Sequence, residues 1–194
     1  MWSMNHENSD TDIFECYILQ TKEILKGRIA TSHFTQDKEN KIDTQRQEIS
    51  KVTSEIIKSN INYIGYIFSP LVLEGVEFLD SYRRLARKVI SKQVYNSVKG
   101  MALHNYKKYQ NELGDKLDSR RWDKIVRVIN FGIRLMETGE ISFLPVYNSN
   151  IDTYNSAMND LEDAKNNGIL QEYPTETDIG NLWDFVVSER VKRL

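Results

Sequence analysis

An all-α domain is what the sequence predicts. Apolar residues recur at three- and four-residue steps almost throughout, only three prolines interrupt 194 residues, and no Val/Ile/Thr-rich alternating run bounded by turn pairs stands out. The spacing predicts a first helix over about Asp10 to Lys26, with Phe14, Tyr17, Ile18 and Leu25 on one face and Gly27 just past its end. The stretch TSHFTQDKENKIDTQRQ, from Thr31 to Gln47, offers little to bury against the entropy of ordering. Residues 31–50 are therefore predicted as a mobile loop.

Lys51 to Phe68 repeats Val52, Ile56, Ile57, Ile61 and Ile64 at helical spacing until Pro70, which lacks the amide donor, stops it. Leu71 to Lys92 follows as an amphipathic, basic helix, with Leu71, Gly75, Phe78, Tyr82 and Leu85 or Val89 in phase and Arg83, Arg84, Arg87 and Lys88 elsewhere on the turn. Gly100 to Leu113 is predicted next. Asp118 or Ser119 then caps a helix to Glu137, whose wide stripe of Ile125, Val128, Ile129, Ile133 and Met136 makes it the expected central helix. Asn148 to Asn167 follows, and Thr175 with Asp178 forms a capping pattern opening the last helix, to Leu194. The expectation is one domain over 1–194, with seven to eight helices around the central one.

Composition narrows function. With 26 Lys plus Arg against 28 Asp plus Glu, the net charge of -2 gives no sequence-wide pull toward polyanions. Nine isolated glycines form no phosphate-cradling loop, and His6, His33 and His104 lie far apart without metal-ligand spacing, so no cofactor and no metal are implied. A single cysteine, Cys16, cannot form an internal disulfide and points to an intracellular, reducing setting, where it reads as a buried thiol rather than a nucleophile.

Three segments share one order. Leu71 through Gly75-Val76-Glu77-Phe78 to Tyr82-Arg83-Arg84 comes first. Trp122-Asp123-Lys124-Ile125-Val126 with Phe131-Gly132, preceded by Asn111-Glu112-Leu113, comes second. Asp178-Ile179-Gly180 with Trp183-Asp184-Phe185-Val186 comes third. In that order they resemble the third, first and second homology motifs of the Bcl-2 apoptosis-regulator family, with Asp123, Lys124 and Val76 as departures. The resemblance implies a Bcl-2-like bundle that is not an enzyme but a regulator of apoptosis. It would sequester amphipathic BH3-type helices of pro-death proteins in a hydrophobic groove. That groove would be lined by Phe78, Tyr82, Val89, Tyr106, Tyr109, Leu113, Val128, Phe131 and Gly132, with Lys124 as the cation facing a ligand carboxylate. No nucleic acid is expected as a partner. The implied location is cytoplasmic or at the outer mitochondrial membrane, the latter needing a tail anchor beyond Leu194. Val76, together with charges such as Asp123, Arg127 and Arg134 on the central hairpin, favours a pro-survival binder over a pore-forming effector. A helical adaptor without a groove is the reading outside the family.

Overall fold

The computed structural model describes residues 11–27, 32–111, 119–143 and 153–193. Among them the chain is mostly helical, with a small sheet. The order is β1 (Thr11–Tyr17), α1 (Thr21–Leu25), β2 (His33–Asp37), β3 (Ile42–Glu48), α2 (Ile49–Ile57), α3 (Ile61–Ile67), α4 (Val76–Val89), α5 (Val94–Asn111), α6 (Ser119–Thr138), α7 (Tyr154–Asn167) and α8 (Glu176–Val191). No helix of the described residues is long and apolar enough to cross a membrane.

The chain divides into two compact units. One holds α5, α6 and α7 with Ser59–Ile61; the other holds the sheet, α1, α2, most of α3, α4 and α8.

The sheet is the main correction to the all-α expectation. The helix predicted from Asp10 is β1 and a five-residue α1, and the predicted loop supplies β2 and β3. β3 is central, parallel to β1 and antiparallel to β2. Its polar sequence forms a strand because backbone hydrogen bonds on both sides, rather than apolar burial, hold it in place. The turn between β2 and β3 is chemically specified. Asp37 Oδ1 accepts from the backbone amides of Glu39 and Asn40, both at 3.1 Å, and Oδ2 from the Asn40 side chain at 2.8 Å. Those bonds, the Asn40 side chain first, hold the Asp37 carboxyl below its ordinary range.

β3 runs straight into α2 through Glu48, a buried carboxylate. It caps α2 by accepting from Ser50 N at 2.7 Å, takes Leu19 N at 3.4 Å and pairs with Arg190 of α8. Arg190 also donates to Ser50 Oγ at 2.5 Å. α2 packs on α4 and α8, burying Val52 and Ile56, while Thr53 Oγ1 and the Tyr82 hydroxyl meet at 3.0 Å.

The predicted helix from Lys51 breaks earlier than Pro70. Ser59 turns left-handed at φ 54° after α2, an uncommon conformation for a residue with a Cβ. Its buried hydroxyl accepts from Ser91 N at 2.9 Å, while Ser97 Oγ accepts from Ile61 N at 2.9 Å. α3 then ends under Arg83, whose guanidinium donates to the carbonyls of Ile67 (2.7 Å) and Ser69 (2.5 Å). Those carbonyls lack helical partners. Residues 71–75 are not helical; α4 starts only at Val76, after Gly75 at φ 74°.

In the other unit α6 packs against both α5 and α7 and buries Ile125, Val128, Ile129 and Met136 of the predicted stripe together with Phe131 and Leu135, while Ile133 of that stripe is only half-buried. The Thr175 cap also matches the expectation: its Oγ1 accepts from Asp178 N at 3.1 Å. Gly168 ends α7 at a close crossing, where Ile169 N donates to Met136 O at 2.8 Å. A Cβ on Gly168 would lie 2.4 Å from the carbonyl oxygens of both Ala164 and Met136, and backbone on two sides cannot move aside.

Both the crossing and the ion pair can be tested by melting. Gly168→Ala should destabilise the protein by about 2–3 kcal/mol in denaturant melts. Arg190→Ala should cost about 3 kcal/mol, because Glu48 would stay buried without its cation. Wild-type stability for either variant refutes the packing described.

Candidate functional site

Register in the sheet decides which side chains can act together. Residues two apart along a strand share a face, as do register partners on neighbouring strands. Asp12 of β1 pairs with Asp43 of β3, Phe14 with Gln45 and Cys16 with Gln47; Gln36 and Phe34 of β2 extend the first two rows. One face therefore carries two carboxylates side by side, on strands about 4.8 Å apart. In the sequence a third stands two residues earlier, in Asp10-Thr11-Asp12; Asp10 lies outside the described residues.

The next row anchors the pair. Phe14 stacks on Tyr66 of α3 with centroids 4.3 Å apart and rings 5° from parallel, and Tyr63 meets both rings edge-on. The Tyr66 hydroxyl donates to Gln45 Oε1 at 3.2 Å. Burial, and then the Asp12 charge, push the Tyr66 pKa up, so the phenol stays a donor beside the carboxylates. On the opposite face Arg46 Nε pairs with Glu15 at 2.6 Å. No cation of the strands thus neutralises Asp12 and Asp43 from their own side.

Two adjacent carboxylates are hard oxygen donors suited to Mg²⁺, which is commonly held by one or two carboxylates and completed by water and substrate phosphates. Among the described residues no group of three or more His, Cys, Asp or Glu gathers, and this pair is what those residues offer to such a site. The residues present fit a cation shared with a phosphorylated substrate. Sequence reasoning misses them because a helix over 10–26 and a loop over 31–50 leave Asp12 and Asp43 unrelated.

The residues assigned to a ligand groove fall in both units. Phe78 and Tyr82 form a cluster with Phe185, centroids 5.5 to 6.4 Å apart, and Tyr82 and Val89 are fully buried. In the other unit Tyr106 stacks on Tyr154 at 4.0 Å and Tyr109 lies 5.7 Å from Trp122. Val128 and Phe131 are core, Lys124 is half-buried, and Leu113 lies outside the described residues. Gly132 is a contact point between helices, since a Cβ there would sit 2.8 Å from Val98 Cγ2 and 3.1 Å from Leu161 Cδ1.

A strand pair presenting carboxylates to one face belongs to the repertoire of metal-assisted phosphoryl and nucleotidyl transfer. Comparison with protein families agrees. Residues 1–185 match the family described as RlaP, RNA repair pathway DNA polymerase beta family, and the chain belongs to that family. Curated proteins and solved structures return no match.

The family match overturns the Bcl-2 resemblance and what it implied: apoptosis regulation by a non-enzyme, BH3-type helices as partners and no nucleic acid. A family named for RNA repair and for a polymerase points to nucleic acid and to enzymatic chemistry. The borrowed motifs have structural work instead: Arg83 caps α3, Phe185 packs on Phe78 and Tyr82, and Phe131-Gly132 lies in a helix contact.

Cys16 follows Asp12 and Phe14 on the same face. Burial, then the nearby Glu48 carboxylate, push its thiol from an ordinary 9.0 up to about 12. A raised thiol pKa favours the neutral folded form, so this contribution to stability is present below about pH 9 and lost as pH rises toward 12. At pH 8 alkylation of Cys16 should be about a thousandfold slower in the folded than in the unfolded chain. Comparable rates would place the thiol in water.

Proposed function

We propose that this chain takes part in RNA repair as a nucleotidyl-transferring protein, with Asp12 and Asp43 holding a divalent cation beside the reacting phosphates. The observation that carries the reading is the register of β1 on β3, which sets those carboxylates on one face; the family assignment gives the chemistry its class.

The reaction balances simply. A hydroxyl at an RNA end attacks the α-phosphorus of a nucleoside triphosphate, the new P–O bond forms as the bond to pyrophosphate breaks, and the hydroxyl proton passes to water or a nearby base. A cation held by Asp12 and Asp43 would supply Lewis-acid charge to the phosphate oxygens. The chain's own residues preorganise the site. The β1–β3 ladder fixes the two carboxylates, the Phe14–Tyr66 stack backs the next row, and the Tyr66–Gln45 hydrogen bond holds that row's polar side chain still.

The test combines binding with turnover. Mn²⁺ should bind the folded chain and broaden amide resonances around Asp12 and Asp43; Asp12→Asn and Asp43→Asn should each abolish that broadening. With Mg²⁺, an α-labelled ribonucleoside triphosphate and single-stranded RNA, label should appear in the RNA, and each substitution should lower it on the order of a hundredfold. Unaltered transfer in both folded variants, or Mn²⁺ localised elsewhere, would refute the assignment.

A further inference from the structure

The unit built from α5, α6 and α7 carries a surface that the carboxylate site does not use. Helix α5 runs 18 residues with Lys99, His104, Lys107 and Lys108 and no Asp or Glu. Solvent-facing helices usually mix charges of both signs. Here Lys99, Gly100, Leu103, His104, Lys107 and Lys108 are all exposed, and at Gly100 nothing lies within 4 Å of where a Cβ would be. A chain close to electroneutral overall thus places three lysines and no carboxylate along one helix, Lys107 near the middle of its exposed face and Lys99 and Lys108 toward the two edges of that face.

Beside that face runs a row of four rings. Tyr154 stacks on Tyr106 with centroids 4.0 Å apart and planes 5° from parallel; Tyr109 follows at 6.4 Å from Tyr106, and Trp122 at 5.7 Å from Tyr109. All four are half-buried, so each keeps some surface open. Lys99 stands near one end, close enough for its charge to act on the Tyr154 hydroxyl, and donates to the Tyr95 hydroxyl at 3.1 Å. The nearby Glu162 carboxylate accepts from that same Tyr95 hydroxyl at 3.1 Å.

We propose that this face binds single-stranded RNA, with Lys99, Lys107 and Lys108 against the phosphates and bases stacking where the Tyr154–Tyr106–Tyr109–Trp122 row is open. Cations tracking a backbone beside a run of aromatic rings is the arrangement by which proteins hold single strands without reading sequence. A folded core alone would need neither a carboxylate-free helix nor a row of rings left half open. The inference rests on RNA as the substrate of the proposed reaction and adds where the chain grips it.

The experiment is fluorescence anisotropy of a labelled 12-nucleotide oligouridylate titrated with the full chain over a range of salt. The single strand should bind at least tenfold more tightly than a duplex of equal length, with quenching that is lost in Trp122→Phe. Lys107→Gln combined with Lys108→Gln should weaken binding about tenfold at low salt. The same pair should reduce the slope of log K against log salt by about 1.4, or roughly 0.7 for each phosphate no longer neutralised. Tyr154→Leu should weaken binding about fivefold or more while leaving the slope unchanged, which a purely ionic patch would not do. Equal binding by wild type and all variants places the RNA elsewhere and overturns the surface. So does failure of the folded wild type to bind oligouridylate. Polyglutamate bound as tightly as RNA, with no effect of Tyr154→Leu, also overturns it. In each case Mn²⁺ binding at Asp12 and Asp43, measured on the same protein, reports separately on the transfer reading.

Discussion

One buried carboxylate organises the sheet-bearing unit. Glu48 is the last residue of β3 and the cap of α2, so the chain changes from strand to helix with no loop between. Its oxygens also take Leu19 N beyond the end of β1 and the guanidinium of Arg190 on α8. A charge this deep is tolerable only when its lone pairs are engaged and a cation is held against it. The Arg190 requirement fixes where α8 crosses the start of α2, across 142 residues of sequence. Once β3 is held at that end, its register against β1 places Asp12 beside Asp43 at the other. The candidate site thus inherits its geometry from a structural ion pair at the far end of the same strand.

The helical unit is governed by close approach instead of charge. Gly132 and Gly168 are both needed for their absence of a side chain: Val98 and Leu161 crowd the first, and carbonyls of α6 and α7 crowd the second. These contacts draw α5 and α7 against α6. The same approach brings Tyr106 of α5 onto Tyr154 of α7 and Tyr109 onto Trp122 of α6. The aromatic row is therefore a consequence of the packing, and its rings come from three helices because no single helix could space them so.

What could be read in the sequence follows from the strength of local signals. α6 and α8 were legible because a wide apolar stripe in one and a Thr-x-x-Asp cap in the other are properties of consecutive residues. The sheet was not, since β3 reads Ile-Asp-Thr-Gln-Arg-Gln-Glu and owes its existence to two partners distant in sequence. The break at Ser59 was equally hidden; serine rarely adopts a left-handed turn, and the Ser91 amide that its hydroxyl accepts lies 32 residues on. One local signal does mark the sheet. Asp37 followed by Glu39 and Asn40 is turn chemistry between two segments able to pair, and it specifies the β2–β3 connection.

Misassigning one element also hides the chemistry. On a helix, residues two apart diverge by about 200°, so Asp10 and Asp12 would belong to opposite sides and invite no joint role. On a strand, alternate residues share a face, so Asp12 falls in line with Phe14 and Cys16 and beside its register partner across the ladder. Asp43 becomes relevant only when its own segment is seen as the neighbouring strand. The Bcl-2 resemblance has the same source. Once every apolar recurrence is taken as helical, Trp-x-x-Ile-Val and Phe-Gly on α6 and Gly-x-Glu-Phe near α4 have nothing to contradict them, because helix packing reuses such residues for ordinary contacts. Secondary structure is thus the step on which the functional inference turns: the same carboxylates are scattered solvent charges in one reading and a candidate cation site in the other.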